Sequence, residues 1–160
     1  MEEQRPFAVQ TVARFANEYF GLDTIQVTAL PGEIDYNYRI QDNSGKNYLL
    51  KITRDNFVLE DLLFQNAMLQ HIKKKELPVK TPALIENRKG DQMSFVGSDA
   101  NTRHAMRLFE WLPGKTISSV HPINSHLIEE LGTVLGKLSA ALIDFQHPAS
   151  NRNLKWDITY

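Results

Sequence analysis

The stretch that decides the fold is Tyr36-Asn37-Tyr38-Arg39-Ile40-Gln41, then Asp42-Asn43-Ser44-Gly45, then Tyr48-Leu49-Leu50-Lys51-Ile52. Tyr36, Tyr38 and Ile40 alternate with polar residues, the period of a strand with one buried face. Asp42 to Gly45 is dense in turn formers and too short for a crossover helix, so the flanking strands must run antiparallel. Upstream, Ile25 to Leu30 is another β-type run, closed by Pro31-Gly32. Three strands joined by tight turns form a meander, which points to an α+β fold rather than a βαβ fold.

Helical periodicity appears on both sides of this meander. Pro6 to Phe20 reads as a helix, with Pro6 at N1, Phe7, Val12, Phe15, Ala16 and Tyr19 at helical spacing, and Gly21 as its stop. Asp55 or Asn56 would cap a long helix from Phe57 to about Lys75, whose lysines 73–75 suit the negative end of its dipole. Ala83 to Glu86 and Gln92 to Val96 read as a hairpin around Asn87 to Asp91, and Arg103 to Trp111 as a further strand entered from the turn-rich Gly97 to Asn101. Lys115 to Pro122 is a polar connector. A second long helix follows, from a cap at Asn124 or Ser125 to about Phe145, with Leu127, Leu131, Val134, Leu135, Leu138 and Leu142 as its stripe.

Composition removes several classes of function. Eighteen Lys+Arg balance nineteen Asp+Glu, so no electrostatic footprint for nucleic acid or anionic lipid is present. With no Cys, disulfide scaffolds and thiolate sites are excluded, and a reducing, cytoplasmic setting fits. The N-terminal residues carry Glu2 and Glu3 and no apolar h-region, and no apolar run is long enough to span a membrane. The five histidines (71, 104, 121, 126 and 147) show no H-E-x-x-H or H-x-H spacing, so no metal site is expected from them. Nucleophile-elbow, Walker A and full G-x-G-x-x-G patterns are absent.

What remains is an ordered arrangement. A turn holding Gly32 joins two strands, the next strand carries Lys51 among apolar residues, a long helix follows, and a strand ends in Arg107-Leu108-Phe109-Glu110-Trp111-Leu112-Pro113-Gly114. Together with Tyr36 to Ile40, Gln65-Asn66-Ala67-Met68 and the tail Leu154-Lys155-Trp156-Asp157-Ile158, this resembles the aminoglycoside phosphotransferase family of small-molecule kinases, nearest its hydroxylysine-kinase-like branch. In that branch, kinase regions also occur fused to a peptidase-like module and a class III aminotransferase.

The resemblance implies a protein-kinase-like N-lobe: about five antiparallel strands with one long packed helix, an N-terminal helix, a hinge and the first C-lobe helix. It places residues 1–111 in the N-lobe, 112–122 in the hinge and linker, and 123–160 at the start of the C-lobe. Lys51 would contact the α- and β-phosphates of ATP or GTP carried with Mg2+, as a point charge on a rigid strand. Read from the strand alone, it is more readily an ordinary surface lysine. The Gly32 to Asn37 turn would cover the phosphates with backbone N–H groups, and is otherwise an ordinary hairpin tip. Phe109 to Leu112 would be the hinge, with the backbones of Glu110 and Leu112 meeting the adenine edge. Gln65 falls where the family has the glutamate that pairs the lysine, with Asp61 one turn earlier as the acidic alternative.

The family's catalytic loop reads His-x-Asp followed by Asn, with a further Asp for Mg2+. No histidine here is followed two residues later by Asp. The resemblance places that machinery beyond Tyr160, so the expectation is an N-terminal fragment with no catalytic residue and no metal ligand of its own. The parent would be a kinase for a hydroxyl or amino-alcohol substrate, and the acceptor would bind the missing C-lobe. A non-catalytic, kinase-shaped interaction domain of a larger multidomain enzyme is the alternative, and an unrelated α+β domain the bland one. Leu131, Leu135, Leu138 and Leu142 would be left uncovered and would drive a homodimer.

Overall fold

The computed structural model describes residues 5–97 and 102–151. These fall into two compact units, one drawn from residues 1–57 and 82–113 and the other from 58–81 and 114–160. The tail Leu154 to Ile158 and most of Gly97 to Asn101 lie outside the described residues.

The first unit is a sheet with a helix on one face. Helix α1 (Val9–Phe20) precedes β1 (Thr24–Leu30), β2 (Asp35–Asp42) and β3 (Asn47–Thr53), and β4 (Leu84–Ile85), β5 (Ser94–Val96) and β6 (His104–Glu110) follow after an excursion into the second unit. The lane order is β1-β2-β3-β6-β4, with β5 also on β6, and every pairing is antiparallel. The short β4 and β5 lie end to end along one edge of β6: Leu84 and Ile85 pair with Phe109 and Leu108, and Ser94 to Val96 pair with Met106 to His104. Six strands among the described residues therefore occupy five lanes. The expected hairpin between 83–86 and 92–96 is instead two strands sharing one partner.

Alternation in β2 separates the two faces of the sheet. Tyr36, Tyr38 and Ile40 pair in register with Ile52, Leu50 and Tyr48, which continue to Met106 and Leu108 on β6. This face is the core, completed by Phe7, Val12, Phe15 and Ala16 from the α1 region. Each such side chain removed from water contributes roughly 1.5–3 kcal/mol, so the face sets the register: a one-residue slip would expose it. Lys51, Asn37 and Arg107 necessarily fall on the other face.

The β2–β3 turn is built by Asp42. Its carboxylate accepts from the Ser44 hydroxyl (2.6 Å), the Ser44 and Lys46 amides (3.0 Å each) and the Tyr48 hydroxyl (3.0 Å). These bonds, led by Ser44, hold its pKa below the usual carboxylate value. The Tyr48 hydroxyl is pushed up by burial and then by Asp42.

In the second unit, α2 (Leu59–Lys73) and α3 (Ser125–Ala141) are tied together near their C-termini. Asp144 accepts from Lys75 Nζ at 2.7 Å and from His71 Nε2 at 2.9 Å, and the same Nε2 lies 3.1 Å from the Ala141 carbonyl. Both partners of that nitrogen can only accept, so it carries the proton. Phe64 packs edge-on against Phe145 and His147, each at 5.5 Å. Lys75 is the main cause of the lowered Asp144 pKa.

Helix starts differ from expectation in two places. Helix α1 begins at Val9 behind Ala8, which leaves Pro6 outside it, and α2 begins behind Val58 with no side-chain cap, so Asp55 and Asn56 do not cap it. The Asn124 cap holds: its Oδ1 accepts the Leu127 amide at 2.8 Å. Helix α3 ends at Ala141, one turn before the expected Phe145. Among the described residues, no helix is long and apolar enough to cross a membrane.

Candidate functional site

Lys51 sits in the middle of β3, with Asn37 opposite it on β2 and Arg107 opposite it on β6. Strand alternation therefore places a lysine, an arginine and an asparagine side by side on the face away from the aromatic core. Asp35 starts β2 two residues before Asn37, a diagonal neighbour of Lys51 on the same face. Its Oδ2 is 2.8 Å from Lys51 Nζ and 4.0 Å from Arg107 Nη2. Two cations share one carboxylate, so the trio carries a net charge of about +1.

Arg107 is almost completely buried, and burial pushes its guanidinium pKa down, partly offset by the charge of Asp35. The side chain of Lys51 keeps 29% of its surface exposed. A partly exposed lysine side chain on a rigid strand, beside a second cation, is what an anion needs.

The Pro31-Gly32-Glu33 turn is held by side chains from outside it. Arg54 donates from Nε to the Glu33 carbonyl (3.0 Å) and from Nη2 to the Gly32 carbonyl (3.2 Å). Arg5 donates to the Leu30 carbonyl at 2.7 Å, and Asn37 Nδ2 to the Pro31 carbonyl at 3.1 Å. In a trans peptide the C=O and N–H point opposite ways. Anchoring the Gly32 and Glu33 carbonyls on Arg54 therefore turns the amides of Glu33 and Ile34 away from it. Gly32 is required by space: a Cβ there would collide with the Asp35 carbonyl and the Asn37 side-chain amide.

The expected hinge residues end β6. Phe109 is buried, and the Glu110 amide is engaged by the Ala83 carbonyl at 2.8 Å. Leu112 follows the strand and is 39% exposed. Trp111 lies under the Arg39 guanidinium, 5.1 Å from its ring centre. Lys51, Gly32, Asn37, Phe109, Glu110 and Leu112 all belong to the sheet unit, whereas Gln65 and Asp61 lie on α2 in the other unit.

The sequence by itself assigns no role to Asp35 or Arg107. The signal was parity: Asp35 and Asn37 share a face of β2, and the register puts Arg107 beside Lys51 on that face.

Residues 26–159 match the phosphotransferase enzyme family. The chain is 25% identical over 156 residues to hydroxylysine kinase of Bos taurus, covering 89% of this chain and 40% of that protein. The fold is shared with an amicoumacin kinase solved with AMP-PNP, Ca2+ and Ami (TM-score 0.74, 22% identity, 89% of this chain and 42% of that one). It is shared too with a microcompartment-associated aminopropanol kinase (TM-score 0.70, 17% identity, 92% and 45%). The chain thus spans about two fifths of the length of the curated relative it matches. A kinase-type sheet with its strand lysine, and a family match reaching from residue 26 to residue 159, make this chain a member of the phosphotransferase enzyme family.

Proposed function

We propose that the sheet unit is the nucleotide-binding part of a small-molecule kinase that phosphorylates a hydroxyl or amino-alcohol substrate. The observation that carries this reading is the partly exposed Lys51 side chain, in a trio of net positive charge beside a turn whose amides Arg54 directs. Phosphoryl transfer is mostly positioning and charge neutralisation. Lys51 binds the α- and β-phosphates of ATP or GTP, the Glu33 and Ile34 amides cover them, and Glu110 and Leu112 offer backbone groups to the adenine edge. Mg2+ arrives with the nucleotide and neutralises phosphate charge; no residue here is assigned to hold it. Residues 1–111 form the nucleotide lobe, 112–122 the hinge and linker, and 123–160 the start of the acceptor lobe.

The sequence has no His-x-Asp pattern, so no general base is assigned and the chain by itself turns over no nucleotide. Titration with Mg·ATP tests the reading. Lys51→Met removes one charge-assisted bond, worth about 2 kcal/mol, and should weaken binding roughly thirtyfold. Unchanged binding refutes the site, and Lys51-dependent ADP release by the purified chain refutes its catalytic silence.

A further inference from the structure

Arg107, Asp35 and Lys51 are graded in depth: their side chains are 2%, 8% and 29% exposed. The arginine is enclosed and cannot follow a ligand. The carboxylate touches it from one side and the lysine from the other, through the same oxygen. An ion trio this deep is weak evidence for stability, because apolar residues of similar volume often serve as well or better. What apolar residues cannot provide is a fixed ammonium. Lysine is a point charge on a flexible four-carbon stem, and it binds phosphate well only when that stem is held.

We propose that Asp35, backed by Arg107, is the positioning residue for Lys51: it takes one of the three N–H donors from the neighbouring strand and presents the other two to phosphate. The proposal rests on the reading of Lys51 as a phosphate contact. Asp35 has a second tie to the site, because its carbonyl is one of the groups that a Cβ at Gly32 would strike. One residue thus meets both the lysine and the phosphate-covering turn. The opposing effect is electrostatic, since removing Asp35 raises the local charge and would draw phosphate in. The sign of the affinity change decides between the two.

The experiment is calorimetric titration of the full chain with Mg·ATP and, separately, with adenosine. Asp35→Asn should weaken Mg·ATP about tenfold and leave adenosine unchanged, and Asp35→Glu should fall between, at about threefold. Asp35→Asn removes a counter-charge from the buried Arg107 and risks unfolding. The double variant Asp35→Asn with Arg107→Gln keeps the trio at +1, so it isolates positioning from charge, and the same tenfold loss is expected. In a Lys51→Met background, where only the charge effect remains, Asp35→Asn should no longer weaken Mg·ATP binding. Equal or tighter Mg·ATP binding by either neutralised variant overturns the proposal, as does an equal loss for adenosine, which marks a structural role. Wild-type binding that ignores Lys51→Met overturns the phosphate reading beneath it; binding that needs Lys51 but ignores Asp35 overturns positioning alone.

Discussion

Replacing Gly32 by alanine tests the turn over the candidate phosphate site. The residue does not have a positive φ, so backbone strain is not at issue. The obstacle is contact: the new methyl meets the Asp35 carbonyl, at the start of a paired strand, and the Asn37 amide, which is bonded to Pro31. The strand cannot yield without losing its ladder, so the turn must. Lifting it breaks the Asn37–Pro31 bond and both bonds from Arg54 to the Gly32 and Glu33 carbonyls. At roughly 1 kcal/mol each, reduced for those near water, the loss is about 2 kcal/mol. That corresponds to a fall in Tm of about 4–8 °C for a chain of this size. Affinity for Mg·ATP should fall about tenfold as well, because the Glu33 and Ile34 amides move with the turn. Gly90→Ala is the control: its φ is +83° and nothing lies within 4 Å of the added methyl, so it should cost about 1 kcal/mol through the backbone and leave nucleotide binding alone. Differential scanning fluorimetry and titration calorimetry read both effects. A Gly32→Ala chain with wild-type Tm and affinity would show that the turn is not held as described.

Three further outcomes are expected. Gly132 and Gly136 lie inside α3 with no positive φ and nothing within 4 Å of where an alanine methyl would stand, so Gly132→Ala and Gly136→Ala should each raise stability by about 0.5–1 kcal/mol in urea unfolding. Asp42 and Asp144 have lowered pKa values, so each adds stability that is present above the unfolded carboxylate pKa and lost as pH falls through the folded one. Acid titration followed by circular dichroism should therefore show the loss below about pH 4, with Asp42→Asn and Asp144→Asn each flattening it; a loss centred near pH 6 in the wild type would contradict this. Leu131 and Leu135 are 42% and 53% exposed on α3, which supports self-association through that face. Light scattering should give a mass that rises with concentration above 18.3 kDa, and Leu131→Asp with Leu135→Asp should return it to monomer; a wild-type monomer at every concentration refutes the contact.

The meander was legible because two independent signals agreed, the alternation of Tyr36, Tyr38 and Ile40 and a turn too short for a crossover. The Asn124 cap was legible because an asparagine immediately precedes a helical stripe. The starts of α1 and α2 were not. Pro6 and Asp55-Asn56 have the right chemistry for a helix start, yet Ala8 and Val58 take the cap positions without any side-chain bond. The partners of β4 and β5 were hidden for a different reason. Strand β6 is buried along nearly its whole length and needs neighbours on both edges, but a two-residue and a three-residue run carry no mark of which strand they will join. The Asp35–Lys51–Arg107 trio became visible only with the register, since its members are separated by 16 and 56 positions along the chain.

Strand β3 lies in the interior of the sheet, laddered to β2 on one side and β6 on the other. Lys51 therefore rides on the part of the unit least able to fray, while the Gly32 turn sits at the edge of the same sheet and is held by long arginine side chains. The candidate site thus joins one immovable contact to one adjustable contact. Ligands that differ in the shape of their phosphate chain would be accommodated by the turn alone, and amide exchange should record them there, with the Lys51 amide silent throughout.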